Sequence, residues 1–234
     1  MPNPVPDSPS ELDLLVVSPH PDDAELGMGG ALARAKAEGR STGIIDLTRG
    51  EAATKGTPEI RAEEVEAASR VLGLDVRQNL GWPDSRIRDS EDRRLQLARV
   101  LRELKPRVVV APHVNDRHPD HVAAAHIVPA AVHLAGLKNS PLSGEPYKPH
   151  NLFFYMGNGP FEATLVVNTS DYIDTWEEAV RCYQSQFTGE AASETVTPDV
   201  YMRRRGRAAY WGTFIGVKYA EPLWTPRPVA YSLF

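Results

Sequence analysis

The sequence predicts an α/β protein: a Rossmann-like, mostly parallel sheet flanked by helices, with a smaller C-terminal α/β portion. Three observations carry this expectation. The apolar runs Leu14–Val17, Ile44-Ile45 and Val108–Ala111 have the length and branching of buried strands. Segments of helical spacing alternate with them, which is the rhythm of a parallel sheet with helices on both faces. Two of the strands run into loops crowded with His and Asp, at the strand ends where open α/β sheets bind ligands.

The elements follow in order. Residues 1–11 are proline-rich and read as a flexible arm; residues 12–234 read as a single domain. The first strand covers Leu14–Val17, and Ser18-Pro19-His20-Pro21-Asp22-Asp23 follows it. A helix is expected from about Met28 to Glu38, stopped by Gly39. Ser41–Leu47 is the second strand. Pro58 opens a helix that runs to about Leu72 and stops at Gly73. Val76–Leu80 is a short third strand, and Gly81-Trp82-Pro83-Asp84 is a turn. Between Glu91 and Leu104, the residues Leu97, Leu101 and Leu104 mark one helical face, and Pro106 ends the helix. The strand Val108–Ala111 leads to Asp116-Arg117-His118-Pro119-Asp120-His121, then to a helix over Pro119–Leu134. Residues 137–150 form a polar loop. Leu152–Tyr155 and Thr164–Val167 are strands. Ser170 or Asp171 caps a helix through about Gln184. Residues 188–197 are a loop, Pro198–Trp211 a helix, and short extended pieces lie near Gly216–Tyr219 and Val229–Leu233.

Composition narrows the function. Apolar residues are 41% of the 234, enough for one substantial core, and the net charge of −5 argues against a nucleic-acid partner. The single cysteine, Cys182, excludes an internal disulfide framework and a Cys-rich zinc site, and fits a reducing cytoplasm. The first residues lack the charged and apolar regions of a signal peptide. No apolar run approaches the ~18 residues that span a membrane.

The two His/Asp loops point to a metal. His20, Asp23 and His121 could supply the three protein ligands of a catalytic zinc site, leaving one position to water. On spacing alone either Asp22 or Asp23 could be the ligand, because adjacent side chains diverge. Asp22, beside a ligand, could act as general base. His118 next to Asp120 could protonate a leaving group or stabilise an oxyanion. A two-His, one-carboxylate set also suits non-haem iron oxygenases, although no 2-oxoacid site is evident. One such loop alone reads as a turn or helix cap; two of them, each after a buried strand, read as a site. Gly27-Met28-Gly29-Gly30 imitates a dinucleotide fingerprint, but Leu32 stands where Gly or Ala is required. These glycines read as close-packing positions. Arg203-Arg204-Arg205 and Arg207 read as a solvated helix face, the alternative being contact with a substrate carboxylate.

His20-Pro21-Asp22-Asp23-Ala24-Glu25-Leu26-Gly27-Met28-Gly29-Gly30 resembles the signature of the LmbE-like, or PIG-L-type, zinc deacetylases. Arg117-His118-Pro119-Asp120-His121 resembles their second motif, and the likeness runs from about residue 12 to the end. Asp46-Leu47-Thr48-Arg49-Gly50-Glu51, Gly56-Thr57-Pro58, Tyr183-Gln184-Ser185-Gln186-Phe187 and Gly216-Val217-Lys218-Tyr219-Ala220-Glu221 are similar to one branch of that family. This branch includes the N-acetylglucosaminyl-malate deacetylase of bacillithiol biosynthesis. The resemblance implies a hydrolase that removes an N-acetyl group from N-acetylglucosaminyl-L-malate. Its alternatives are N,N'-diacetylchitobiose or another acylated amine, or, in a different class, a metal-stabilised sugar-binding protein without turnover. It implies Zn2+ held by His20, Asp23 and His121, Asp22 as the base, and His118, oriented by Asp120, as acid or transition-state stabiliser. Arg61 matches an arginine of the family's substrate pocket, Arg117 is expected to help orient the second motif, and Tyr201 aligns with a tyrosine that contacts the oxyanion. Relatives form homo-oligomers, often hexamers, so an assembly is expected.

Overall fold

A computed structural model describes residues 11–187 and 199–229. In chain order the elements are β1 (Leu14–Ser18), α1 (Asp23–Ala37), β2 (Thr42–Thr48), α2 (Pro58–Leu72), β3 (Val76–Trp82), α3 (Glu91–Leu104), β4 (Val108–Pro112) and α4 (Pro119–Gly136). They continue with β5 (Asn151–Tyr155), β6 (Leu165–Asn168), α5 (Ile173–Arg181), α6 (Gln184–Phe187), α7 (Val200–Thr213) and β7 (Ala220–Trp224). The strands form one seven-stranded sheet in the order β3-β2-β1-β4-β5-β7-β6. The first five pair in parallel, and β7 runs antiparallel between β5 and β6. The expected C-terminal α/β portion thus extends the same sheet.

The chain builds outward from β1 to β2 and β3, then returns to place β4 on the other side of β1. The strand order therefore reverses between β1 and β4, where doubly wound sheets open a crevice for ligands. Val16 pairs with Val110 in register, so both His/Asp loops leave the sheet at the same level. Val16, Val17, Ile44, Ile45, Val109 and Val110 are all buried. Apolar clusters cover the sheet, one holding α3 and α4 residues such as Leu101 and Ile127, another holding Met28 and Leu32 of α1. Among the described residues no helix is long and apolar enough to cross a membrane.

Several boundaries differ from expectation. β3 runs on through Gly81 and Trp82, expected in the turn. Helix α1 begins at Asp23 rather than near Met28, because Asp22 takes a φ of 113° and turns the chain straight from the loop into the helix. The glycines then fall within α1 as contact points. A Cβ on Gly27 would lie 2.5 Å from the Tyr155 ring, and one on Gly29 would lie 2.9 Å from Trp176. The single helix expected over Ser170–Gln184 is divided into a 3-10 turn at Ser170–Tyr172, α5 and α6. The last strand is Ala220–Trp224 rather than Gly216–Tyr219, since Gly216, with φ of 71°, belongs to the turn after α7. Pro222 is tolerated there because the ladder to β5 involves only Leu223 and Trp224. Nearly all of the expected N-terminal arm, the loop at 188–197 and residues 230–233 of the last extended piece lie outside the described residues.

Candidate active site

The first loop is held by short contacts on all sides. The Ser18 hydroxyl donates to the His20 carbonyl at 2.5 Å and accepts the Ala24 N–H at 3.2 Å. The backbone N–H and the hydroxyl of Thr48 both donate to the Pro19 carbonyl. Arg61 donates from Nη1 to the Pro21 carbonyl at 2.7 Å, with Asp22 Oδ2 3.5 Å from the same nitrogen. Asp22 is thereby fixed in a left-handed backbone conformation that L-residues seldom adopt.

The second loop opens α4. His118 caps that helix, its Nδ1 accepting the Asp120 N–H at 3.2 Å, and Pro119 is the first helical residue. With Nδ1 accepting, a neutral His118 carries its proton on Nε2. Asp116 accepts the backbone N–H of His118 at 2.8 Å and that of Asn158 at 2.7 Å.

Between the loops, Asp23 Oδ2 lies 3.0 Å from His20 Nδ1 and 3.1 Å from His121 Nε2. The opposite nitrogens of both rings also face carboxylates. His20 Nε2 is 3.1 Å from Asp84 Oδ1 and 3.3 Å from Asp120 Oδ2, while His121 Nδ1 is 3.0 Å from Asp116 Oδ2. Burial opposes charging of both histidines, but the surrounding carboxylates outweigh it, raising His20 well above its ordinary range and His121 to about 9. Burial likewise opposes ionisation of Asp23, and the two imidazoles hold it well below the usual carboxylate range. Burial lifts Asp22 to about 7 against the pull of Arg61. His118 is lowered by burial and by the neighbouring His20 and His121.

This arrangement suits a cation. The sets His20, His118, His121 and His20, Asp84, Asp120 each bring potential ligand atoms within 4.8 Å of one another. Neither set contains Asp23, the expected carboxylate ligand, although its Oδ2 lies 3.0 Å from His20 Nδ1 and 3.1 Å from His121 Nε2, near the roughly 3.3 Å between neighbouring ligands of a tetrahedral zinc with bonds of about 2.0–2.1 Å. Each of those imidazoles is backed by a carboxylate, which orients a ligating ring and raises its basicity.

His20, Asp22, Asp23, His118 and His121 line one cavity of about 190 Å³, together with Arg61, Asp84, Asn158 and Arg204. Some expected roles change. The Asp120 carboxylate does not reach His118; it turns to His20 Nε2 and the Ile87 N–H, because the Asp120 backbone N–H already occupies His118 Nδ1. Tyr201 is not among the cavity-lining residues; its ring packs against Phe187 with the Arg181 guanidinium over one face. Arg117 is exposed and lines an adjoining cavity. Sequence reasoning missed Asp84, inside a segment read only as a turn, and gave no role to Asp116, although it stands in the second His/Asp stretch.

The sequence pattern of the GlcNAc-PI de-N-acetylase (PIG-L) family matches residues 15–132, half of the chain and both loops. The chain belongs to the PIG-L family. Among PIG-L relatives, the diacetylchitobiose deacetylase of Thermococcus kodakarensis is 29% identical over 223 residues, covering 89% of this chain and 80% of its own length. The 1D-myo-inositol 2-acetamido-2-deoxy-alpha-D-glucopyranoside deacetylase of Rhodococcus jostii is 27% identical over 201 residues, covering 71% and 69%. The crystal structure of the conserved protein TT1542 from Thermus thermophilus superposes with a TM-score of 0.90 at 57% identity, covering 95% of this chain and 98% of that one. This PIG-L member is an N-deacetylase.

Proposed function

We propose that this chain removes the N-acetyl group from an N-acetylglucosaminyl substrate, N-acetylglucosaminyl-L-malate of bacillithiol biosynthesis first among them. The observation that carries the reading is the single Asp23 oxygen facing His20 Nδ1 and His121 Nε2, with Asp22 and His118 lining the same cavity. Zn2+ would be held by His20, Asp23 and His121, where it would polarise the amide carbonyl and lower the pKa of the attacking water.

The chain's own groups have separate tasks. Asp22, held by Arg61, accepts a proton from the water as it attacks the acetamide carbon. His118, with its proton on Nε2, stabilises the developing oxyanion or protonates the departing nitrogen. The amide C–N bond breaks, and acetate and a free amine leave. Asp84, Asp116 and Asp120 orient the two histidines.

The Thermococcus relative supports a second reading, deacetylation of N,N'-diacetylchitobiose. Free-amine release from both compounds, with zinc-loaded and metal-stripped protein, separates them. Zinc-dependent release favouring the malate conjugate supports the first reading. Preference for diacetylchitobiose replaces it with the second. Zinc binding without release from either would leave the metal site standing and reopen the choice of substrate and the non-catalytic reading. A single cysteine supports a cytoplasmic setting. The exposed Tyr210, Phe214 and Ile215 support the expected homo-oligomer, a hexamer by resemblance, which light scattering tests.

A further inference from the structure

Two arginines of α7 have no part in the reaction just described. Arg204 and Arg207 stand three residues apart and so share one helix face. Both are half-buried, whereas Arg203 is exposed, so the expected solvated basic face does not extend to them. Arg203 pairs with Asp199 and Arg205 with Glu177. Arg204 and Arg207 form no ion pair among the described residues. Both instead donate from Nη1 to one acceptor, the Gly157 carbonyl, at 2.8 and 2.7 Å. Arg204 Nη1 also reaches the Met156 carbonyl at 3.4 Å. The hydrogen bonds of both side chains to described residues all leave from Nη1. Burial lowers both guanidinium pKa values, that of Arg207 further through the charge on Arg204.

These side chains line a cavity of about 530 Å³ with Asn115, Asp116, Asn158 and Val200. Arg204 and Asn158 also line the cavity that holds His20, Asp22 and His118. The two cavities therefore share a wall. The carboxylate of Asp116, the acidic group of this lining, is already engaged by His121, His118 N–H and Asn158. Asp22, Asp23 and Asp116 act on the charge of Arg204, and Glu221 and Asp116 on that of Arg207, but none of them forms an ion pair with either guanidinium, and the one acceptor the two share is a neutral carbonyl. An oxyanion answers both side chains, because the guanidinium fork matches a carboxylate or phosphate.

We propose that this cavity is an anion subsite, receiving a carboxylate or phosphate group that the substrate carries beyond its sugar ring. Arg207 and Arg204 are then the residues that favour anionic over neutral N-acetylglucosaminides. The inference rests on the deacetylase reading above for its account of the substrate, but not for the binding itself. A chain with a net charge of −5 repels an anionic substrate at long range, so a local basic site is needed to hold one.

Calorimetric titration of the zinc-loaded full chain with L-malate, inorganic phosphate and neutral erythritol tests the subsite without turnover. The unsubstituted protein is expected to bind at least one anion and not erythritol, and the tighter anion identifies the group. Arg207→Gln is expected to weaken that binding about 10–100-fold, and Arg207→Lys to weaken it less. The ratio of kcat/KM for N-acetylglucosaminyl-L-malate over the neutral methyl N-acetylglucosaminide is expected to fall by a similar factor in Arg207→Gln. Absence of anion binding by the unsubstituted protein overturns the proposal, and this holds even if the variants do not fold. Unchanged anion binding in a folded Arg207→Gln also overturns it. Arginine-dependent anion binding without deacetylation of either glycoside would support the subsite and overturn the deacetylase reading instead.

Discussion

Asp116 backs His121: its Oδ2 lies 3.0 Å from Nδ1, the ring nitrogen opposite the one that faces Asp23. The same carboxylate accepts the backbone N–H of His118 and of Asn158, so it ties the second motif to the loop after β5. Asp116→Asn is expected to weaken zinc binding about 10–100-fold. Competition against a chelator measures this, and an unchanged zinc affinity would remove Asp116 from the site's support.

Asp22 separates an enzyme from a binding protein. Asp22→Asn keeps the side-chain shape and the contact with Arg61 but removes the proton acceptor. Turnover is expected to fall about 10²–10⁴-fold, with zinc content unchanged by metal analysis. Near-normal turnover in that variant would move the base to another group.

Gly27 carries a packing prediction. A methyl group there would lie 2.5 Å from Cδ2 of Tyr155, whose ring is buried at 1% exposure. Gly27→Ala is expected to cost about 1–3 kcal/mol in denaturant unfolding. Combination with Tyr155→Leu should cost less than the sum of the two single changes, because they share one contact. Strict additivity would show that the ring moves aside freely.

Glu221 links stability to pH. It is buried in β7, its two carboxylate oxygens accepting the N–H groups of Gly30 and Ala31 at 2.8 Å each. Burial raises its pKa from an ordinary 4.5 to about 7. The folded state therefore keeps a proton that the unfolded chain releases. Stability from this group is fully present below pH 4.5 and is lost as the pH rises towards 7. Glu221→Gln removes that dependence. The stability gap between wild type and variant should shrink between these limits by up to about 3 kcal/mol. A gap that stays constant in unfolding titrations at pH 5 and pH 7.5 would contradict the raised pKa of about 7.

Much of the architecture was legible because β1 and β4 are buried strands that read as apolar runs, and β2, though it carries Gly43 and Asp46, is marked by Ile44-Ile45. Helix α3 was legible in its full extent, since its apolar spacing and the following proline mark both ends. The start of α1 was hidden because nothing in an Asp-Asp pair signals a positive φ at the first of them. β7 was hidden because Glu221 and Pro222 read against a strand, and only the contacts of Glu221 with α1 and the pairing of Pro222 with Val166 of β6 explain them. The motif histidines could be read from their strands and spacing. Asp84 could not, because its contact with His20 crosses 64 residues of chain without any local periodicity. Asp120 shows the opposite case: a residue expected beside His118 by adjacency is turned away, since a helix cap uses the backbone for that contact.

The backbone at Asp22 has a further consequence. A φ of 113° suits glycine, which could adopt it without crowding a Cβ. A strained position of this kind costs about 1–3 kcal/mol. Glycine would relieve the strain and offer no carboxylate to a water molecule. On the function proposed above, the fold thus gives up stability at the residue that serves as the base. A screen of this chain for thermal tolerance alone would be expected to select Asp22→Gly, and so to trade the enzyme for a sturdier protein that does nothing.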